Sequence, residues 1–485
     1  MESPREGDAA EESHAARIVR DVRAGNLAGL ATLLPWATSS TRSVSASSSA
    51  GSSASSFAST STSPLPLVYL APGSVEEAAS MMRYAWAGGH LERAERLCAG
   101  LCALRDLHRH HGCRMVPAQR RVATDAELLV AHSERFVAEL RAFEAPTSSA
   151  AVPGSEKAQE PRVGRAGSEK VASEPADESH VARSLYNVSN GVLSRAGLRH
   201  IAAASRLACG SVLWLSEQPG VQLGMALVRP PGHHGTREQS GGNGLVNSVA
   251  VAAVCAAKAG RRVLVVDWDV HFSGGSAEIV SQCATADGGG VGPLRMVDVF
   301  GARGQEVYQH ARREGRRWQV LERIRNVVCV NVALLDRRAG DAVYLGAEVW
   351  PQVERAFAEL RPQLVLVSCG LDAARGDCEG FQVSAYGFGE MTRRLVLLCR
   401  AARLDSGSST EATTSSASVA SSSGSSAPPE SLSSCGSSLE RQATESSECR
   451  LVLALEGGYQ LPAIYSGIHQ CMLGLLEPDQ VQVVG

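Results

Sequence analysis

Short apolar runs alternate along this chain with longer stretches of helical period. VLVV (263–266), LVLV (364–367) and LVLAL (451–455) are apolar without alternation, as strands covered on both faces must be. Strands are predicted over Gly224–Val228, Arg262–Trp268, Val327–Val332, Gln363–Ser368 and Arg450–Leu455. Apolar residues recurring every three to four positions predict helices over His90–Arg109, Thr124–Phe143, Ala196–Glu217, Asn247–Ala259, Glu348–Leu360 and Gly387–Arg403. Strands alternating with helices imply parallel βαβ units. The predicted fold class is therefore α/β, a doubly wound three-layer sandwich around a mostly parallel sheet.

Composition divides the 485 residues unevenly. Ser39–Ser63 is nearly all Ser, Ala and Thr, and Asp405–Glu448 is dominated by Ser with Gly, Pro and Glu. Neither can bury enough apolar surface to offset the entropy of ordering it, so both are expected to be disordered. Pro146–Ser179 reads as a long polar surface loop. The expected organisation is an N-terminal extension over 1–64, largely disordered although Arg17–Trp36 is mildly amphipathic, and one large domain over 65–480. The stretch 405–448 is an insertion inside that domain, tolerable because closure entropy grows slowly with loop length.

Charge and cysteines exclude several classes. A formal net charge of −3 with no dominant basic patch argues against direct nucleic-acid binding. No apolar stretch reaches the roughly 18 residues of a membrane span, and the acidic start MESPREGDAAEES is not a secretory signal. The 13 cysteines include no C-x-x-C pair, which suits reduced thiols in the cytosol or nucleus. HRHHGC (108–113) follows an amphipathic helix and reads as its polar end more readily than as a metal tract. Asn187-Val-Ser189 fits a glycosylation acceptor, idle in a reduced compartment.

Polar residues gather where the strands end. MALV leads to His233 and His234 in RPPGHH; VLVV leads to Asp267, Asp269 and His271; LVLVSCGL leads to Asp372; LVLAL leads to EGGY with Tyr459. In open α/β sheets the site lies beyond the carboxyl ends of the strands. Alternate residues of a strand share a face, so Asp269 and His271 can join Asp372 as two carboxylates and one imidazole around a metal, leaving a position open as catalytic zinc requires. The blander alternative for D-x-D-x-H alone is a strand ending in solvated side chains. The proline turn fixes both imidazoles, which suit proton transfer, and Asp267 is free to set one tautomer. Two glycines aim the Tyr459 phenol inward, where it can donate to an oxyanion. Seen alone, each of these last two motifs is more readily a surface pair or a packed tyrosine.

Together RPPGHH, VNSVAVAA, VDWDVH, SCGLDAARGD with GFQVS, and LEGGYQL resemble the histone deacetylase superfamily, in that family's order and closest to its class II branch. RRVATDAELLVAHSERFVAEL is also similar to class II sequence, and HLERAERL resembles the family's opening helix. The resemblance covers roughly Leu67–Leu476 without the insertions. It implies an arginase/deacetylase fold and hydrolysis of acetyl-lysine amides on acetylated histones or other acetylated proteins. It implies one catalytic zinc ion held by Asp269, His271 and Asp372, and allows a structural potassium ion. His233 and His234 resemble the proton-handling pair, His234 as general base; Asp267 resembles the carboxylate behind His233, and Tyr459 the carbonyl-polarising phenol. Arg96 falls where the family often has an arginine near the site floor. A corepressor-type complex and residence in the nucleus or cytoplasm are further implications.

The departures bear on efficiency and substrate. Where the family has H-H-G-x-G, this chain reads H-F-S-G-G: Phe272 replaces a histidine and Gly274 the Asp or Asn that supports the second imidazole. Where relatives have G-F-C, it has Gly242, Asn243 and Gly244, so Gly242 and Asn243 become the substrate-binding wall. Ile279–Arg325 carries no version of the loop bearing the opposite aromatic wall. Besides a protein deacetylase, the sequence accommodates a catalytically weak acyl-lysine binding or scaffold subunit, and a small-molecule amidohydrolase of the acetylpolyamine type. A binuclear, arginase-like site is disfavoured, since no further carboxylate follows His271.

Overall fold

The computed structural model describes residues 6–38, 66–85, 90–144, 195–285, 294–302, 318–323, 329–408 and 449–479. Ser39–Ser63, Pro146–Ser179, Asn187–Ser189 and residues 409–448 of the expected insertion lie outside the described residues. Among the described residues nine strands form one sheet: β1 (Val68–Ala71), β2 (Met115–Pro117), β3 (Leu223–Ala226), β4 (Val263–Asp267), β5 (Leu294–Gly301), β6 (Trp318–Arg323), β7 (Cys329–Leu334), β8 (Leu364–Cys369) and β9 (Arg450–Leu455). Their order is β2-β1-β3-β9-β8-β4-β5-β7-β6. Every pair is parallel except β6 against β7 at one edge. The predicted strands are β3, β4, β7, β8 and β9, and the doubly wound α/β class holds.

Helices flank the sheet. Arg195–Glu217 and Ser248–Lys258 pack on one another and on β3, β4, β8 and β9; Ala385–Ser408 pairs with Leu461–Leu476, which in turn packs on Glu95–His111. The strands between them are buried throughout, β4 and β8 at every position, which is why their sequences do not alternate. The helix predicted over Thr124–Phe143 is two, Asp125–Leu128 and Glu134–Glu144. Thr124 and Glu127 form a capping box on the first, and Ser133 Oγ accepts from Phe136 N at 3.2 Å to start the second. The gap holds His132, fully buried, which donates from Nδ1 to the Thr236 carbonyl (2.9 Å) and accepts at Nε2 from Asn247 N (3.2 Å).

Residues 6–38, inside the extension expected to be largely disordered, form the helices Glu6–Arg23, Ala28–Ala31 and Pro35–Thr38. Ile18, Val19, Val22, Leu30, Leu33, Leu34 and Trp36 are buried, and the first helix packs on Glu95–His111. A local apolar face decides the matter against the polar average of the segment. Likewise Ala385–Ser408 runs through Asp405 into the first residues of the expected insertion.

Four neighbouring strands, β3, β9, β8 and β4, stand at the middle of the sheet. The four polar motifs follow their carboxyl ends, so motifs up to 226 residues apart in sequence (His233 to Tyr459, 459 − 233) meet at one rim.

Candidate active site

Beyond β4 the chain folds back on its own carboxylates. Asp267 Oδ1 accepts from Asp269 N (3.1 Å), and Asp269 Oδ1 accepts from His271 N (2.9 Å). Asp372 Oδ1 takes Val270 N (2.9 Å), and Asp269 Oδ2 takes Gly457 N (2.8 Å). These bonds leave His271 Nδ1 between Asp269 Oδ1 at 3.0 Å and Asp372 Oδ2 at 2.9 Å. Among the described residues, Asp269, His271 and Asp372 form the group able to hold a metal ion, with ligand atoms within 4.8 Å of one another.

The electrostatics fit a cation there. Burial, then the Asp269 carboxylate, push Asp372 up to about 7. Burial opposes charge on Asp269 too, yet the His233 and His271 imidazoles hold it well below the usual carboxylate range. For His271, burial is outweighed by Asp269, Asp372 and Glu379, and the imidazole is raised. Two adjacent buried carboxylates and an imidazole nitrogen are an N/O donor set suited to zinc, and a divalent ion relieves their repulsion.

Gly457 allows this approach. A Cβ there would overlap the Asp372 and Asp269 carboxylate oxygens. Gly457→Ala is therefore expected to weaken any divalent-ion binding by these carboxylates, read as zinc content by elemental analysis, while leaving secondary structure by circular dichroism unchanged.

The histidine pair sits across from these ligands. Glu456 Oε2 accepts from Gly232 N (2.6 Å) and His233 N (3.2 Å), anchoring the RPPGHH turn to the end of β9. His233 Nδ1 donates to Asp267 Oδ2 at 3.2 Å, the pairing expected from the sequence. His233 and His234 rings are 4.1 Å apart, and His234 is 5.8 Å from the His271 ring. Burial, then His233, push His234 down to about 3, so it is neutral. The side-chain support expected to be missing at Gly274 is missing: the Phe272 ring lies 3.1 Å from where its Cβ would be and packs on Phe300 at 4.8 Å.

Tyr459 closes the site from β9. Asp377 Oδ2 accepts from Tyr459 N (2.8 Å) and Gln460 N (2.9 Å). Arg96, fully buried, donates from Nε to the Gly458 carbonyl (2.5 Å) and from Nη2 to that of Glu456, with its guanidinium 5.2 Å from the Tyr459 ring. Arg96 is in turn paired with Glu92 (3.3 Å), which also holds Arg229 (2.6 Å). Burial, then Asp372 and Asp269, raise the phenol, which stays protonated.

His233, His234, His271, Gly242, Asn243 and Tyr459 line one cavity of about 440 Å³. Asp267, Asp269 and Asp372 lie fully buried behind it. Sequence reasoning missed four other lining residues, His90, Leu91, Cys378 and Glu379. Glu379 Oε1 stands 3.7 Å from His271 Nε2, the nitrogen not turned to the carboxylates. Its signal was only its place in the loop after Asp372. His108, His110 and His111 end a helix away from the site, and His108 packs on Trp36.

The family model for the histone deacetylase domain matches residues 90–408. Histone deacetylase 15 of Arabidopsis thaliana is 36% identical over 214 residues, 41% of this chain and 35% of that protein. The polyamine deacetylase HDAC10 of Homo sapiens is 32% identical over 323 residues, 64% of this chain and 40% of that protein. The matches thus span little more than a third of these relatives' length. A crystal structure of the HDA15 HD domain superposes with a TM-score of 0.56 at 23% identity, covering 86% of this chain and 91% of the other, a likeness of fold.

Proposed function

Because the chain belongs to the histone deacetylase family, we propose that it is a zinc-dependent deacetylase hydrolysing acetyl-lysine amides on histones or other proteins. The observation that carries this is the meeting of Asp269, His271 and Asp372 with the Asp267–His233 pair, His234 and Tyr459 around one cavity. Asp269, His271 Nδ1 and Asp372 would hold a zinc ion, which would supply Lewis-acid polarisation of the acyl oxygen and lower the pKa of water. Neutral His234 accepts the proton of the attacking water. The Tyr459 hydroxyl donates to the oxygen that becomes the oxyanion. As the C–N bond breaks, His233, its Nδ1 held by Asp267, protonates the amine nitrogen, and acetate and free amine leave.

A structural potassium ion would lie behind the pair. Asp267, Asp298 and Asn331 stand side by side across β4, β5 and β7 and are buried. Among the described residues Asp298 Oδ1 and Asn331 Oδ1 have no hydrogen-bond partner, which suits a cation bound by oxygen alone. The unit proposed to act is residues 65–480, in the nucleus or cytoplasm, with a corepressor-type complex as partner.

A second reading, deacetylation of an acetylated polyamine, is favoured by Glu379. Its carboxylate lines the cavity beside His271, where it would hold a cationic amine chain, and several matched relatives are named polyamine deacetylases. The test is a zinc-dependent assay on acetyl-lysine peptides and acetylated polyamines. If polyamines are the substrate, Glu379→Leu lowers their kcat/KM about tenfold, the worth of one charge-assisted contact, and spares the peptides. Stoichiometric zinc with no turnover of any acyl length would replace both readings with a binding or scaffold subunit.

A further inference from the structure

We propose that Asn243 is a positioning residue for the Tyr459 hydroxyl, so that the cavity wall takes part in oxyanion stabilisation; this rests on the deacetylase reading above. The segment Gly241–Gly244 is a tight turn closed by two backbone hydrogen bonds, Gly241 N to Gly244 O (3.3 Å) and Gly244 N to Gly241 O (3.0 Å). It lies flat on the RPPGHH turn. A Cβ at Gly241 would overlap the His234 carbonyl, one at Gly244 the Pro231 carbonyl, and one at Gly242 would stand 2.5 Å from His234 Cδ2. Three of the four positions therefore admit no side chain, and the turn's place is set by the histidine loop. The fourth, Asn243, supplies the side chain that faces the cavity.

Asn243 Nδ2 donates to the Tyr459 hydroxyl at 3.4 Å. The contact is long, as hydrogen bonds at unliganded catalytic sites often are before the reacting complex tightens them. Its direction matters more than its length. A phenol oxygen that accepts from an amide keeps its own O–H to donate elsewhere, and accepting one hydrogen bond strengthens the one it gives. Were the amide oxygen in that place, the phenol proton would be spent on the wall. The Tyr459 backbone is held separately, by Asp377 and Arg96, so Asn243 acts on the hydroxyl rather than on the loop. An apolar wall residue could line the same cavity but could not do this.

The zinc-loaded full chain is compared with Asn243→Leu, Asn243→Asp, Tyr459→Phe and the Asn243→Leu/Tyr459→Phe double variant. Readouts are kcat and KM on the better substrate of the assay above, and the Kd of a trifluoromethyl-ketone analogue whose hydrate presents the oxyanion. Asn243→Leu is expected to lower kcat and weaken the ketone about tenfold, less than the 10²–10³ of a direct donor, with KM within about twofold. Asn243→Asp, which offers only acceptors, loses more. In the Tyr459→Phe background Asn243→Leu adds nothing, the signature of action through the phenol. Equal losses in both backgrounds, or none in either, overturn the proposal while the deacetylase reading stands. A zinc-loaded wild type that neither turns over any acylated amine nor binds the ketone overturns that reading and this proposal with it. Binding without turnover leaves the cycle to be decided on Kd.

Discussion

Asp269→Asn is expected to abolish the proposed zinc binding and lower kcat/KM by on the order of 10³-fold or more, since a catalytic zinc ion contributes several kcal/mol of transition-state charge stabilisation. The substitution keeps the volume of the side chain and removes its charge. It also sets an amide among donors: the wild-type oxygens accept from His271 N and Gly457 N, and the amide's single oxygen can satisfy one of them while its NH2 group faces the other. With one carboxylate fewer beside it, Asp372 loses the neighbour that helps push it up to about 7, and ionises more readily. A lone carboxylate and an imidazole are then a weak two-ligand site. Zinc content by elemental analysis and melting with and without added zinc give the answer. The wild type should gain about 4 kcal/mol of stability at zinc a thousandfold above Kd, and the variant should gain none. Undiminished activity in Asp269→Asn would place the chemistry somewhere other than this rim.

Tyr459→Phe should behave differently. Zinc remains at one equivalent, KM changes little, and kcat falls about 10²–10³-fold, the cost of one oxyanion donor. The separation is expected because the ring's position does not depend on its hydroxyl. Asp377 takes the Tyr459 and Gln460 N–H groups, and Arg96 holds the Gly458 and Glu456 carbonyls. A phenylalanine keeps all of these. If kcat holds and KM rises instead, Tyr459 binds the ground state and the oxyanion is stabilised by other groups.

The central sheet was legible because being covered on both faces leaves an unbroken apolar record, seen in VLVV, LVLV and LVLAL. β1 and β2 left almost none: VYLA and MVP are too short for any period to declare itself. β5, LRMVDVFG, carries Arg295 and Asp298 among its apolar residues, and Asp298 is buried, a position no pattern rule awards to a carboxylate. The N-terminal helices were hidden by the serine-rich sequence that follows them. At the site, the spacing Asp267, Asp269, His271 is a property of one strand end and could be read directly. Glu379 could not, since an acidic residue in a loop means nothing until its neighbour, His271, is known.

The position of β9 has a consequence for how such a chain comes into being. The strand that carries EGGY follows the long serine-rich stretch and is the last of the nine in sequence, yet it lies between β3 and β8. Until Arg450–Leu455 has been synthesised, β3 and β8 each present an unpaired apolar edge, which is an invitation to aggregate. The Asp269 carboxylate meanwhile lacks the Gly457 N–H that holds it. A nascent chain stopped before residue 450 is thus two half-sheets without a seam. Maturation of the centre is tied to the synthesis of Arg450–Leu455, and a ribosome-bound intermediate should need chaperone cover until then.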